Sequence, residues 1–295
     1  MWKVMVAEPI HEEGIRILRG APDVGLVLRP KITRGELLEE IKTVDAVLTR
    51  SGTAIDREFL EHAPRLKVAA RAGVGVDNID LAEASRRGVV VINAPTGNTL
   101  AATEHTLALL LSMARKLPQA HASLRSGAWE RKSFMGFQLH GKTLLVVGLG
   151  RIGTQVALRA KAFGMEVAAY DPYVPAPRME ALGLRRFENL LEALNASDIV
   201  TLHVPATAET RGMIGKKELE AFKDGACLIN CARGSLVDEA ACADALRNGK
   251  LSRVAFDVYS SEPPKADHPL LAEELADRVV LTPHLGANTE EAQSA

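Results

Sequence analysis

The stretch that decides the fold is Leu144-Leu145-Val146-Val147-Gly148-Leu149-Gly150-Arg151-Ile152-Gly153. An apolar run meets a glycine turn, and a helix-like segment follows from Thr154 to Phe163, so the stretch reads as strand, tight turn, helix. The glycines stand in the order G-x-G-x-x-G, and each has its own task in a dinucleotide site. Gly148 allows the sharp turn out of the strand. Gly150 lets backbone approach a pyrophosphate with no Cβ in the way, and Gly153 lets the helix pack tightly on the strand. The helix N-terminus then offers free N–H groups and a positive dipole end to the phosphates. A second apolar run, Glu166-Val167-Ala168-Ala169-Tyr170, ends at Asp171, eighteen residues after Gly153. An acid at that offset accepts hydrogen bonds from an adenosine ribose and repels a 2′-phosphate, so the expected cofactor is NAD rather than NADP.

Working outward, residues 143 to 284 alternate strand-like and helix-like segments. After the two strands above come Ile199–His203, Ala226–Asn230, Val254–Val258 and Val279–Thr282, six in all, which predicts a doubly wound parallel sheet. Residues 1 to about 97 form a second alternating set, with strands at Lys3–Ala7, Leu26–Leu28, Ala46–Thr49, Lys67–Ala70 and Val89–Ile92. Thr33 to Glu36 fits a capping box ahead of the apolar stripe Leu37, Leu38 and Ile41. The turn formers Asn93-Ala94-Pro95-Thr96-Gly97-Asn98 mark a boundary. Thr99 to Leu117 reads as one long, largely buried helix that Pro118 ends, or whose successor Pro118 begins. The expected organisation is two α/β domains, 98–286 holding NAD and 1–97 plus 287–295 closing the substrate side.

Bulk composition narrows the class. The chain has 295 residues, enough for two domains, and is 47% hydrophobic and 25% charged, as globular proteins are. A net charge of −1 argues against a general nucleic-acid binder. No apolar run reaches the length of a membrane span, and the first residues lack the layout of a signal peptide, so a cytoplasmic protein is expected. Cys227, Cys231 and Cys242 form an odd, sparse set that suits a reducing compartment. No His/Cys cluster has zinc spacing, and no metal site is expected.

Ligands of an open parallel sheet gather beyond the carboxyl ends of its strands. Three segments there carry chemistry: Asn230-Cys231-Ala232-Arg233-Gly234, Asp257 to Pro264, and Thr282-Pro283-His284-Leu285-Gly286-Ala287. Oxidising a carbinol needs a base for the hydroxyl proton, and histidine suits that near neutral pH. A neighbouring carboxylate favours imidazolium and fixes the tautomer, while an arginine forks onto a substrate carboxylate. His284, Glu262 and Arg233 supply these three types, although spacing alone does not show that they meet.

These segments resemble the NAD-dependent D-2-hydroxyacid dehydrogenase family over almost the whole chain. Arg71-Ala72-Gly73-Val74-Gly75-Val76-Asp77-Asn78, Trp129-Glu130-Arg131-Lys132 and His284-Leu285-Gly286-Ala287 are most like its phosphoglycerate-oxidising branch. The resemblance implies a flavodoxin-like substrate domain, a Rossmann NAD-binding domain, and an active site between them. It places Arg233 on the substrate carboxylate or carbonyl, with Glu262 supporting His284 in proton exchange. Arg151 and Ile152 would lie on the pyrophosphate, and His203, Val204, Pro205, Cys231 and Ala232 would line the cofactor cleft. Asp257 would hold the nicotinamide carboxamide, with Gly286 and Ala287 close by. Backbone around Gly73, Val74 and Gly75 would grip the substrate carboxylate. Arg50 and Arg71 would take a substrate phosphate, joined by Arg131 and Lys132 across a homodimer formed through the NAD-binding domain. Family members continue past this point, often into regulatory domains, so feedback control by an amino acid is not expected of these 295 residues. Two other activities remain open: reduction of an unphosphorylated 2-oxo acid such as glyoxylate or hydroxypyruvate, and an NAD(H)-sensing corepressor role.

Overall fold

The computed structural model describes Met1–Ala295 throughout. The chain divides into two units, Met1–Asn98 with Ala287–Ala295, and Thr99–Gly286. In the smaller unit the strands are β1 (Trp2–Val6), β2 (Val24–Leu28), β3 (Ala46–Thr49), β4 (Val68–Arg71) and β5 (Val90–Asn93). They form one parallel sheet in the order β2-β1-β3-β4-β5, the flavodoxin-like arrangement, whose direction of winding reverses between β1 and β3. Met5, Val47 and Ala69 meet Leu37, Ile41, Phe59 and Leu60 of the covering segments in its core. The capping box closes as expected: Thr33 N–H donates to Glu36 Oε2 at 2.9 Å, and the helix Arg34–Glu40 follows.

The larger unit holds β6 (Thr143–Val147), β7 (Glu166–Tyr170), β8 (Arg185–Phe187), β9 (Ile199–Leu202), β10 (Ala226–Asn230), β11 (Leu251–Phe256) and β12 (Val279–Leu281). Their order is β12-β11-β10-β9-β6-β7-β8, all parallel, with the reversal between β6 and β9. Two doubly wound parallel sheets are thus borne out, but the second has seven strands, not six. The missed strand, β8, lies at the edge and pairs with β7 alone. Arg185 and Arg186 face solvent there, and an edge strand with one partner needs no continuous apolar run. The central β9 and β10 are buried at every residue, because helices cover both faces of the sheet.

The expected single helix from Thr99 to Leu117 ends at Arg115. Lys116 turns left-handed at φ 51°, and a second helix, Leu117–Arg125, starts with Pro118 in its first turn. Proline there gives up an N–H that has no partner in the first turn anyway. All three cysteines are free thiols. No helix is long and apolar enough to cross a membrane.

Candidate active site

The glycine turn connects β6 to the helix Arg151–Ala162. Gly148 sits at φ 91°, and a Cβ on it would lie 2.6 Å from Val204 Cγ1. A Cβ on Gly153 would lie 2.0 Å from the Gly148 carbonyl oxygen, so the helix start rests directly on the turn. Gly150 is different. Its φ is an ordinary −72°, and a Cβ there would meet nothing within 4 Å. No in-chain neighbour requires glycine at 150; what the missing side chain leaves is open space above the turn. Gly150 also begins the helix with no side-chain cap, leaving the first N–H groups of Arg151, Ile152 and Gly153 to an outside acceptor. Asp171, at the end of β7, braces the turn: Oδ2 accepts from the Leu149 N–H at 2.8 Å and Oδ1 from the Tyr173 N–H at 2.9 Å. His203 follows β9, with Nε2 at 2.9 Å from Thr201 Oγ1; burial pushes its pKa down to about 4 and keeps the ring neutral. Val204 and Pro205 follow it in the loop after β9.

The loops after β10, β11 and β12 bring Arg233, Glu262 and His284 together. Asn230, fully buried at the end of β10, shapes the first loop by donating from Nδ2 to the Arg233 carbonyl at 2.9 Å and accepting from the Ala232 N–H at 3.1 Å. Gly234 then packs against the Tyr259 backbone, too close for any Cβ. His284 Nδ1 lies 2.6 Å from Glu262 Oε2. Glu262 Oε1 accepts from the Tyr259 N–H at 3.1 Å. Burial pushes the Glu262 carboxyl up. The hydrogen bond and charge of His284, the Tyr259 N–H and the charge of Arg233 outweigh it and hold the group below the usual carboxylate range. His284 itself stands at φ 55°, a conformation that costs a non-glycine residue of order 1–3 kcal/mol. Its N–H bonds to the Asp257 and Thr282 carbonyls hold it there.

Asp257 has no exposed surface, and its carboxylate is occupied within the chain. Oδ1 accepts from Thr282 Oγ1 at 2.6 Å and the Leu285 N–H at 2.7 Å, with His105 Nε2 at 3.1 Å; Oδ2 accepts from the Gly286 N–H at 2.9 Å. Burial raises its pKa, but His105, Thr282 and Leu285 together lower it further. The carboxylate therefore pins the turn that carries His284, and it faces that turn rather than open space. Cys231 is half-buried, and burial pushes its thiol up to about 12, so it stays a neutral group. Ala287 belongs to the smaller unit, where its carbonyl accepts from Gln293 Nε2 at 2.8 Å.

In the smaller unit, the loop after β4 offers backbone donors. Neither the Val74 N–H nor the Gly75 N–H meets an acceptor of the chain, whereas Gly73 N–H donates to the Arg71 carbonyl at 2.9 Å. The two arginines there differ. Arg71 is buried, donates to the Gly75 carbonyl and lies 3.7 Å from Asp77, so it shapes the Gly73–Gly75 loop from beneath. Arg50 is only half-buried, and its guanidinium pairs with no carboxylate. Arg131 and Lys132 begin an exposed 3₁₀ turn, Arg131–Phe134.

Residues 107–286 match the family model described as D-isomer specific 2-hydroxyacid dehydrogenase, NAD binding domain. The chain belongs to this family. It is 48% identical over 295 residues to the D-3-phosphoglycerate dehydrogenase of Methanocaldococcus jannaschii, covering 100% of this chain and 55% of the relative. It is 49% identical over 293 residues to the enzyme of the same name from Archaeoglobus fulgidus, covering 99% and 54%. The chain thus spans about half the length of the curated relatives it matches. Among solved structures, a protein of Thermus thermophilus superposes with a TM-score of 0.88 at 36% identity, covering 99% of this chain and 92% of that one. D-lactate dehydrogenase from Aquifex aeolicus, complexed with NAD and lactic acid, does so with 0.87 at 30% identity, covering 98% and 90%.

As in other members of this D-2-hydroxyacid dehydrogenase family, the larger unit is an NAD-binding domain, and its glycine turn fits that cofactor. The open space over Gly150, the uncapped helix start and the Asp171 carboxylate suit in turn a pyrophosphate, its charge and a ribose. The roles of two residues of the site escaped the sequence reading. His105 follows Glu104 in a helix of mostly Leu, Ala and Thr, where its position carries no spacing signal. Asn230 ends an apolar strand, and only the turn it bonds reveals its work.

Proposed function

We propose that the protein oxidises D-3-phosphoglycerate to 3-phosphohydroxypyruvate, the first step of serine synthesis, in the cytoplasm. The observation that carries the reading is the 2.6 Å contact of His284 Nδ1 with Glu262 Oε2 at the strand ends of an NAD-binding domain. With Nδ1–H bound to the carboxylate, Nε2 of the neutral ring is free to accept the C2 hydroxyl proton. Glu262, held ionised, stabilises the imidazolium as it forms. Bound NAD supplies the acceptor for the two electrons and hydrogen that leave C2. Arg233 takes the substrate carboxylate as a fork and draws charge toward the carbonyl oxygen as it develops. The free Val74 and Gly75 N–H groups add donors for that carboxylate, with Gly73 shaping their loop. Arg151 and Ile152 hold the pyrophosphate from the helix start, and Asp171 holds the adenosine ribose and disfavours a 2′-phosphate. His203, Val204, Pro205, Cys231, Ala232 and Gly286 line the cofactor's remaining length. Arg50 takes the substrate phosphate. Arg131 and Lys132 contribute in a homodimer, for which the exposed Trp129 and Met135 beside them offer apolar contact.

The substrate is tested by following loss of NADH absorbance with 3-phosphohydroxypyruvate, hydroxypyruvate and glyoxylate. Preference for the phosphorylated acid is expected. Preference for either unphosphorylated acid overturns the substrate while keeping the chemistry.

A further inference from the structure

The smaller unit carries an anion clamp that the catalytic reading leaves unused. Its sheet reverses between β1 and β3, the place where open α/β sheets collect ligands beyond their strand ends. The loop after β3 turns three backbone N–H groups toward one point there. Arg50 N–H donates to Glu8 Oε2 at 2.6 Å, Gly52 N–H to Oε1 at 2.9 Å, and Thr53 N–H to Oε2 at 3.1 Å. Converging backbone N–H groups of this kind make an anion-binding concavity. Here the anion is the chain's own Glu8 carboxylate, two residues beyond β1. From the other side, Asn78 Nδ2 donates to the carbonyls of Arg50 at 3.0 Å and Thr53 at 2.6 Å. The loop is therefore held by its donors and by its acceptors at once.

We propose that Glu8 is a positioning residue for substrate phosphate, fixing the Arg50–Thr53 loop so that Arg50 is presented as a preset cation. This rests on the reading that Arg50 receives the phosphate. The Arg50 guanidinium touches only the Pro9 carbonyl, at 3.5 Å, so its charge is not neutralised by a carboxylate of its own. A loop ordered in advance lowers the entropy cost of binding. Because Glu8 fills the backbone nest, an incoming phosphate is also turned away from the loop N–H groups and left to the side chain.

The test uses Glu8→Gln, which keeps the shape but loses the charge and leaves one loop N–H facing an amide NH2. With 3-phosphohydroxypyruvate, KM rises about tenfold while kcat stays within about twofold. With hydroxypyruvate, both constants stay within about twofold. Amide exchange speeds up at Arg50, Gly52 and Thr53. In an Arg50→Ala background, Glu8→Gln adds nothing further, because Glu8 acts through Arg50. Equal losses on both acids, or faster exchange with an unchanged KM for the phosphorylated acid, overturn the proposal. A wild-type protein with no preference for the phosphorylated acid overturns the underlying reading and the proposal with it. A wild type with that preference, beside a uniform Glu8→Gln defect, overturns the proposal alone. If Glu8→Gln does not fold, Glu8→Asp gives the same comparison with the charge retained and the reach shortened.

Discussion

Replacing Glu262 by Gln tests the proposed chemistry most directly. The carboxylate and the imidazole are about one-third exposed, 35% and 38% by side chain, so solvent screens the pair in part. Unit charges about 4 Å apart interact by about 4 kcal/mol near a protein surface and about 1 kcal/mol in bulk water; a value of about 2 kcal/mol lies between them. Losing that much stabilisation of the imidazolium slows turnover about 30-fold. Tautomerism adds to the loss. The Gln oxygen takes over the Tyr259 N–H, its NH2 then faces His284 Nδ1, and Nε2 is left carrying the proton it should accept. The fall is therefore at least about 30-fold in kcat. It appears equally in both directions when binding is unchanged, because the overall equilibrium is fixed by the substrates. NADH affinity, measured by fluorescence titration, holds, since the Gly148–Gly153 turn is untouched. Wild-type turnover in Glu262→Gln refutes the relay. A parallel collapse of NADH affinity or of melting temperature refutes it too, by making Glu262 a structural brace.

The remaining predictions concern the turn, His203 and the thiols. Gly150→Ala melts within a degree or two of wild type, because a Cβ there meets nothing, yet its NADH Kd rises about tenfold or more. Gly153→Ala collides with the Gly148 carbonyl and loses about 1–3 kcal/mol of stability in urea unfolding; equal behaviour of the two variants contradicts the division of labour. His203 has a folded pKa of about 4, below its ordinary 6.5, so the unfolded chain binds the extra proton first. Its contribution to stability is complete above pH 6.5, falls as pH drops, and stops falling below about 4. Melting temperature against pH should be flatter over that window in His203→Gln. Cys231 and Cys242, both near 12, resist iodoacetamide at about pH 8 in the native protein and react once it is unfolded.

Local signals made the strands and the cofactor turn legible. β9 and β10 are buried along their whole length and appear in the sequence as runs that are apolar but for Thr201 and the terminal Asn230. Gly148 and Gly153 sit at fixed offsets because the turn's own close contacts impose them, whereas Gly150 keeps open the space above the turn. β8 gave no such signal, since two of its three residues face water. The helix break at Lys116 was equally hidden: lysine carries no mark of a left-handed turn, and Pro118 was compatible with either side of a boundary. At the site, the residue types of Arg233, Glu262 and His284 could be read, but their meeting depends on three loops from separate strands. Arg50 and Arg71 look interchangeable in sequence. Burial and the Gly75 carbonyl separate them, and those depend on how the loop after β4 folds back.

The larger unit interrupts the smaller one, entering after Asn98 and leaving before Ala287. During synthesis, the first ninety-eight residues therefore leave the ribosome without the helix Glu290–Ser294, which packs against Glu12–Gly20. At about 5–20 residues per second, roughly 190 further residues delay that closing piece by about 10–40 s. The inserted unit has its own sheet and two cores, and it is continuous in sequence, so it is the part that can complete itself first. A nascent chain stalled with Gly286 clear of the ribosomal exit tunnel but the helix Glu290–Ser294 replaced by a linker should then resist protease across the cofactor turn while its leading segment is still cut.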